Sequence, residues 1–69
     1  MSQHIIKHIN GGWAIKRRAA SKATQVFDTQ KTAIKHGRIL ARKQHCDLYI
    51  HRPDGRVRQK LSYLHQIHK

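Results

Sequence analysis

Four cations, Lys31, Lys35, Arg38 and Arg42, follow one another at spacings of four, three and four residues. On a helix those spacings draw one continuous positive line, and neighbouring like charges there cost roughly 0.2–0.5 kcal/mol per pair. Acids to offset them are scarce: the 69 residues hold 15 Lys and Arg against 3 acids, a net charge of +12 with the 7 histidines neutral. A polyanion would supply the missing counter-charge. Phosphate contacts by Lys and Arg are driven by counterion release, so such binding weakens steeply with salt. A field of this sign also steers anions toward the surface.

Catalysis has less to work with. Asp28, Asp47 and Asp54 each suit a structural role, as helix cap, start of a strand and turn, and no two look like a metal-binding or acid/base pair. Histidine is the remaining catalytic type, as a His-plus-Lys, RNase-like arrangement of His51 with His8 or His4, but no spacing singles it out. His45 and Cys46 are adjacent, and His65 and His68 lie three apart. Neither set has the paired spacing of a structural zinc site, so no metal and no cofactor is expected beyond adventitious nickel or zinc on the tail. The histidines read as surface residues, a pH lever that would raise anion affinity when charged below about pH 6.5. A non-enzymatic protein follows from this inventory.

Cys46 has no partner for an internal disulfide, which fits a reducing compartment. No apolar run is long enough to cross a bilayer, and Met1 to Gly12 lacks the apolar stretch of a signal peptide. A cytoplasmic location without a membrane partner is expected. A chain of this length makes one small-cored domain, with residues 3–61 as its core and 62–69 as a histidine-bearing tail.

The elements that must carry the cations can be read from periodicity. His4 to Ile9 is β-branched and short, and Asn10-Gly11-Gly12 separates it from Trp13 to Arg17, a hairpin signal. Residues 18–23 read as a loop, and Thr24 to Phe27 as a third strand completing a meander. Asp28 or Thr29 caps a helix running to about Gln44, with Ala33, Ile34, Gly37, Leu40 and Ala41 on one side. Gly37, on the inward stripe, is read as permitting close approach to the sheet. Leu48 to His51 forms a fourth strand, Pro53-Asp54-Gly55 a turn, and Arg56 to Leu61 a strictly alternating fifth strand. The expected fold is α+β: a small antiparallel β-sheet in the order β-β-β-α-β-β with one helix packed on one face.

Alternation then sorts the strands. Trp13, Ile15, Leu48, Ile50, Val57 and Leu61 fall inward, while Lys16, Arg18, Tyr49, His51, Arg56, Arg58 and Lys60 take the opposite parity. One helix covers one face, so the other would be bare and basic. With the flanking Arg17, Lys22 and Arg52, these outward residues form the candidate nucleic-acid surface. Lys31, Lys35, Arg38 and Arg42 form a secondary stripe. The competing explanation is ordinary solvated alternation, and outer helix faces are normally charged. The function expected is phosphate-dominated binding of double-stranded DNA in an accessory or regulatory role, by a monomer or weak homodimer. The alternatives are an RNA-binding module and a protein-interaction domain docking on an acidic partner.

The motifs Gly11-Gly12-Trp13-Ala14-Ile15-Lys16, Val26-Phe27-Asp28-Thr29-Gln30, Ala33-Ile34, Ala41-Arg42-Lys43-Gln44 and Ile50-His51-Arg52-Pro53-Asp54-Gly55-Arg56 occur in that order. The series resembles a small prokaryotic family, domain of unknown function 2188, nearly to Tyr63. The resemblance implies a compact α+β domain, bacterial, phage or plasmid borne, and no activity or site residues. The chain departs from the family's pattern in the cations of its helix and in its tail. Its opening three strands and helix are also similar in architecture to the arm-binding domains of phage integrases, which use a three-stranded sheet on DNA.

Overall fold

The computed structural model describes residues 2–18, 20 and 22–64. In chain order the elements are β1 (Ser2–Lys7), β2 (Trp13–Arg17), β3 (Gln25–Phe27), α1 (Gln30–Gln44), β4 (Asp47–His51) and β5 (Val57–Ser62). They build an α+β domain in which one helix lies on a five-stranded sheet of order β3-β2-β1-β4-β5. The expected element order holds, but the sheet is mixed rather than antiparallel. β1 and β4 are parallel, whereas β1–β2, β2–β3 and β4–β5 are antiparallel. The reason is directional. After the meander β3 runs the same way as β1, and α1 carries the chain back, so β4 set down beside β1 must run with it.

The helix begins where its side chains allow. Thr29 is the N-cap, with extended backbone and an Oγ1 that accepts the Thr32 N–H at 3.2 Å. It closes at His45, in the left-handed region (φ 53), whose N–H donates to the carbonyls of Ala41 and Arg42. Arg42 and Lys43 in its last turn suit the negative helix end. Its inward face is Ala33, Gly37 and Ala41, all buried, flanked by half-buried Ile34 and Leu40. Small residues here let the helix lie close to the sheet. A Cβ on Gly37 would sit 2.7 Å from Ile5 Cδ1 and 3.2 Å from Leu48 Cδ1.

The core on that side consists of Ile5, Ile15, Leu48 and Ile50 from the strands, joined by Cys46 and Tyr63. Trp13 is half-buried against this cluster, in keeping with a core role, and Lys7 Nζ lies 5.5 Å from its ring centre. Tyr63 corrects the assignment of residues from Ser62 onward to a tail. β5 runs through Ser62, and Tyr63 is 8% exposed with its N–H donating to the Cys46 carbonyl. The histidines of the expected tail, His65 and His68, lie outside the described residues.

Two boundaries move for local reasons. β1 ends at Lys7, and a five-residue loop from His8 to Gly12 leaves Ile9 93% exposed, so that isoleucine is not a strand residue. Gly12 belongs to the loop by necessity: its φ is +77 and a Cβ would strike the Phe27 carbonyl. At the other hairpin a bulge between Ile50 and His51 pairs Ile50 with Gln59 but His51 with Val57. Strict alternation fails there. Val57, read as inward, shares the open face with His51 and is 51% exposed.

Candidate nucleic-acid interface

The helix lies against β1, β2, β3 and β4. The opposite face of the sheet therefore carries the alternate residues: Lys16 on β2, His4 and Ile6 on β1, Asp47, Tyr49 and His51 on β4, and Val57 and Lys60 on β5. Arg18 joins them where the chain leaves β2, tied to β1 by its N–H donating to the Ser2 carbonyl at 3.2 Å.

The centre of this face is a connected cluster. Parallel pairing sets His4 beside Tyr49, and their rings stack at 4.9 Å. His4 Nδ1 lies 2.9 Å from His51 Nε2, His4 Nε2 lies 3.1 Å from Ser2 Oγ, and His51 Nδ1 lies 3.0 Å from the Gly55 carbonyl oxygen. Burial, then the neighbouring His51 and Arg18, hold His4 below the ordinary histidine range. Lys60 Nζ stands 5.6 Å from the Tyr49 ring centre and 3.7 Å from Asp47 Oδ2. Two shallow hollows, about 240 and 470 Å³ in volume, meet at His4 and Arg18. Tyr49 is thus half-buried between His4 and Lys60, placed to fix the cluster rather than to offer an open stacking face.

The expected site residues divide. Lys16, Arg18, Tyr49, His51 and Lys60 come together on the open face, and Arg17 lies on the rim of the smaller hollow. Lys22, Arg52 and Arg56 are exposed in the connecting loops, Arg56 paired with Asp54 at 3.8 Å. Arg58 does not belong to this group. It is the extra residue of the bulge, and its Nη1 donates to Gln30 Oε1 at 3.2 Å, at the start of the helix. His4 was the residue sequence reasoning undervalued. Its parity opposite Ile5 was a usable signal, but its meeting with Tyr49 and His51 depends on the parallel pairing of β1 with β4.

The secondary stripe also forms. Lys31, Lys35, Arg38 and Arg42 line a helix-side groove of about 630 Å³ together with Ile34 and Ile39. Arg38 Nε donates to Tyr63 Oη at 3.2 Å, and the Arg42 guanidinium lies 5.7 Å from the Tyr63 ring centre. Size favours this groove; the sheet face offers a fixed polar cluster framed by cations. Among the described residues no group of three or more His, Cys, Asp or Glu side chains is gathered as for a metal. No helix among them is long and apolar enough to cross a membrane.

A small mixed-sheet α+β domain with one helix and a basic open face is the class these features define. The chain belongs to the family described as "Uncharacterized protein conserved in bacteria (DUF2188)", whose profile matches residues 3–63. It is 33% identical over 61 residues to "Uncharacterized protein YdaT" of Bacillus subtilis (strain 168), an alignment spanning 88% of this chain and 40% of that protein. This chain therefore corresponds to less than half the length of that relative. No solved structure matches.

Proposed function

We propose that the domain binds nucleic acid, duplex DNA in preference to RNA, through phosphate contacts on the open face of its sheet. It acts in the cytoplasm as an accessory or regulatory factor and catalyses no reaction. The observation that carries this reading is uncompensated charge. Among the described residues ion pairs form only at Arg56–Asp54 and Lys60–Asp47. Lys16 and Arg18 stand at the central cluster outside both pairs, with Arg17 on the rim of the same hollow and Lys22 and Arg52 exposed in the connecting loops. Phosphate-directed cations need no sequence-reading geometry, and Tyr49, occupied on its ring faces, favours duplex backbone over stacked single-stranded bases. The His4–His51 contact argues against general acid/base work. At 2.9 Å the two rings are bonded to one another, with no room for a scissile phosphate between them.

Fluorescence anisotropy with random-sequence duplex DNA over a salt series tests the proposal. A log–log slope equal to several displaced ions is expected, with duplex RNA and single strands competing less well. Absent or salt-insensitive binding rejects it. One observation favours a second reading, docking on an acidic amphipathic partner: Ile39 is 56% exposed within the helix groove among Lys35, Arg38 and Arg42. Capture of an acidic protein after nuclease treatment, lost on Ile39→Asp but kept on Arg18→Gln, would replace the first reading with the second.

A further inference from the structure

We propose that the hollow lined by Lys16, Arg18, His4 and His51 is a proton-coupled seat for one backbone phosphodiester. Filling it draws a proton from solvent onto the His4–His51 pair, so the domain holds nucleic acid more tightly as pH falls. This rests on the nucleic-acid reading above and adds the regulation of that site.

The direction of each hydrogen bond in the cluster follows from one fixed acceptor. The Gly55 carbonyl can only accept, so His51 Nδ1, 3.0 Å away, carries the hydrogen. Neutral His51 then presents a lone pair at Nε2, which His4 Nδ1–H fills at 2.9 Å. Neutral His4 in turn presents Nε2 to the Ser2 hydroxyl at 3.1 Å. The chain accepts one proton without breaking, at His4 Nε2, where the Ser2 hydroxyl turns to accept instead of donate. A second proton would set two N–H groups against each other across the 2.9 Å contact. The pair has capacity for one added charge.

The surroundings set when that charge is taken up. From β2, Lys16 stands opposite His4, with Arg18 beyond it; β4 supplies Asp47, Tyr49 and His51, and β5 supplies Lys60. Asp47, the carboxylate of this face, has Oδ2 3.7 Å from Lys60 Nζ and a buried Oδ1 with no hydrogen-bond partner among the described residues. In the free protein burial, then the adjacent His51 and Arg18, leave His4 less charged than an ordinary histidine at the same pH. A phosphodiester carries one negative charge and does not titrate near neutrality, so any proton taken up on binding comes to the protein. Seated at Lys16 and Arg18, it offsets the repulsion they exert and raises the proton affinity of His4. By linkage, protonation of His4 raises affinity for the phosphate by the same factor. The gain appears as pH falls from the bound-state pKa to the free one and saturates below it, changing affinity at most about tenfold per pH unit.

Calorimetric titration of the full chain with a duplex lacking terminal phosphates, at about pH 6.5 in two buffers of different ionisation enthalpy, counts the protons taken up. Net uptake of a fraction of a proton, one at most, is expected, falling by more than half in His4→Gln and Arg18→Gln and unchanged in His36→Gln. A parallel readout needs no variant: the NMR titration of the His4 ring should move to higher pH when duplex is added. Binding with the same uptake in wild type and His4→Gln, or a His4 titration unmoved by duplex, overturns the seat and leaves the nucleic-acid reading standing. No binding at any pH overturns both.

Discussion

Replacing Lys16 and Arg18 together by Gln removes the two cations beside His4 without adding charge. The structure marks them as the pair that should matter most. Lys60 and Arg56 already have carboxylates at 3.7 and 3.8 Å, so a phosphate would have to compete for them. Each phosphate neutralised contributes about 0.9 to the slope of log affinity against log salt, so losing two contacts should make that slope shallower by about 1.8. Between about 50 and 200 mM salt, a fourfold change, the advantage of wild type over the variant should then shrink about twelvefold. Fluorescence anisotropy with a short random duplex reads both quantities. Lys31→Gln with Lys35→Gln is the matched control, equal in charge lost but on the helix. An unchanged slope in the sheet-face variant, or an equal change in the control, would refute the preference for the sheet.

Three further outcomes test the fold and its titrating centre. His4 is held below the ordinary value of 6.5, so on acidification the unfolded chain binds a proton before the folded one does. Stability should be complete above that value and fall as pH drops below it, with His4→Gln flattening the fall in urea unfolding; stability rising into acid would contradict the assignment. Gly37→Ala gains about 1 kcal/mol of helix propensity but crowds fully buried Ile5 and Leu48 at a cost of about 1–3 kcal/mol, so a net loss of about 1 kcal/mol is expected. A net gain would mean the helix has slack against the sheet. His45→Gly should stabilise by about 0.5–1 kcal/mol, because φ 53 is a left-handed position that glycine adopts without strain; a lower urea midpoint would show that the imidazole contributes more than it costs.

What could be read from the sequence was local in origin. The positions Ala33, Gly37 and Ala41 repeat at helical spacing, and a cap at Asp28 or Thr29 precedes them, so the helix and its inward face were legible with Thr29 as the actual cap. Trp13 to Arg17 and the Pro53-Asp54-Gly55 turn were legible for the same reason, since turn chemistry and alternation act over a few residues. The parallel contact of β1 with β4 was not, because it joins residues more than forty positions apart through a helix whose return path no short pattern encodes. The bulge at Ile50/His51 escaped as well. An extra residue such as Arg58 leaves no mark on composition, yet it moved Val57 to the open face and aimed Arg58 at Gln30. The site suffered the same loss: Lys16, Arg18, Tyr49, His51 and Lys60 were placed by parity alone, while His4, their common neighbour, required the topology.

Amide chemical-shift mapping of isotope-labelled protein titrated with a random duplex locates the bound surface residue by residue. The largest perturbations are expected at His4, Lys16, Arg18, Tyr49, His51 and Lys60, with smaller ones along Lys31 to Arg42. Perturbations confined to the helix, or spread evenly over all surfaces, would contradict binding through the open face of the sheet.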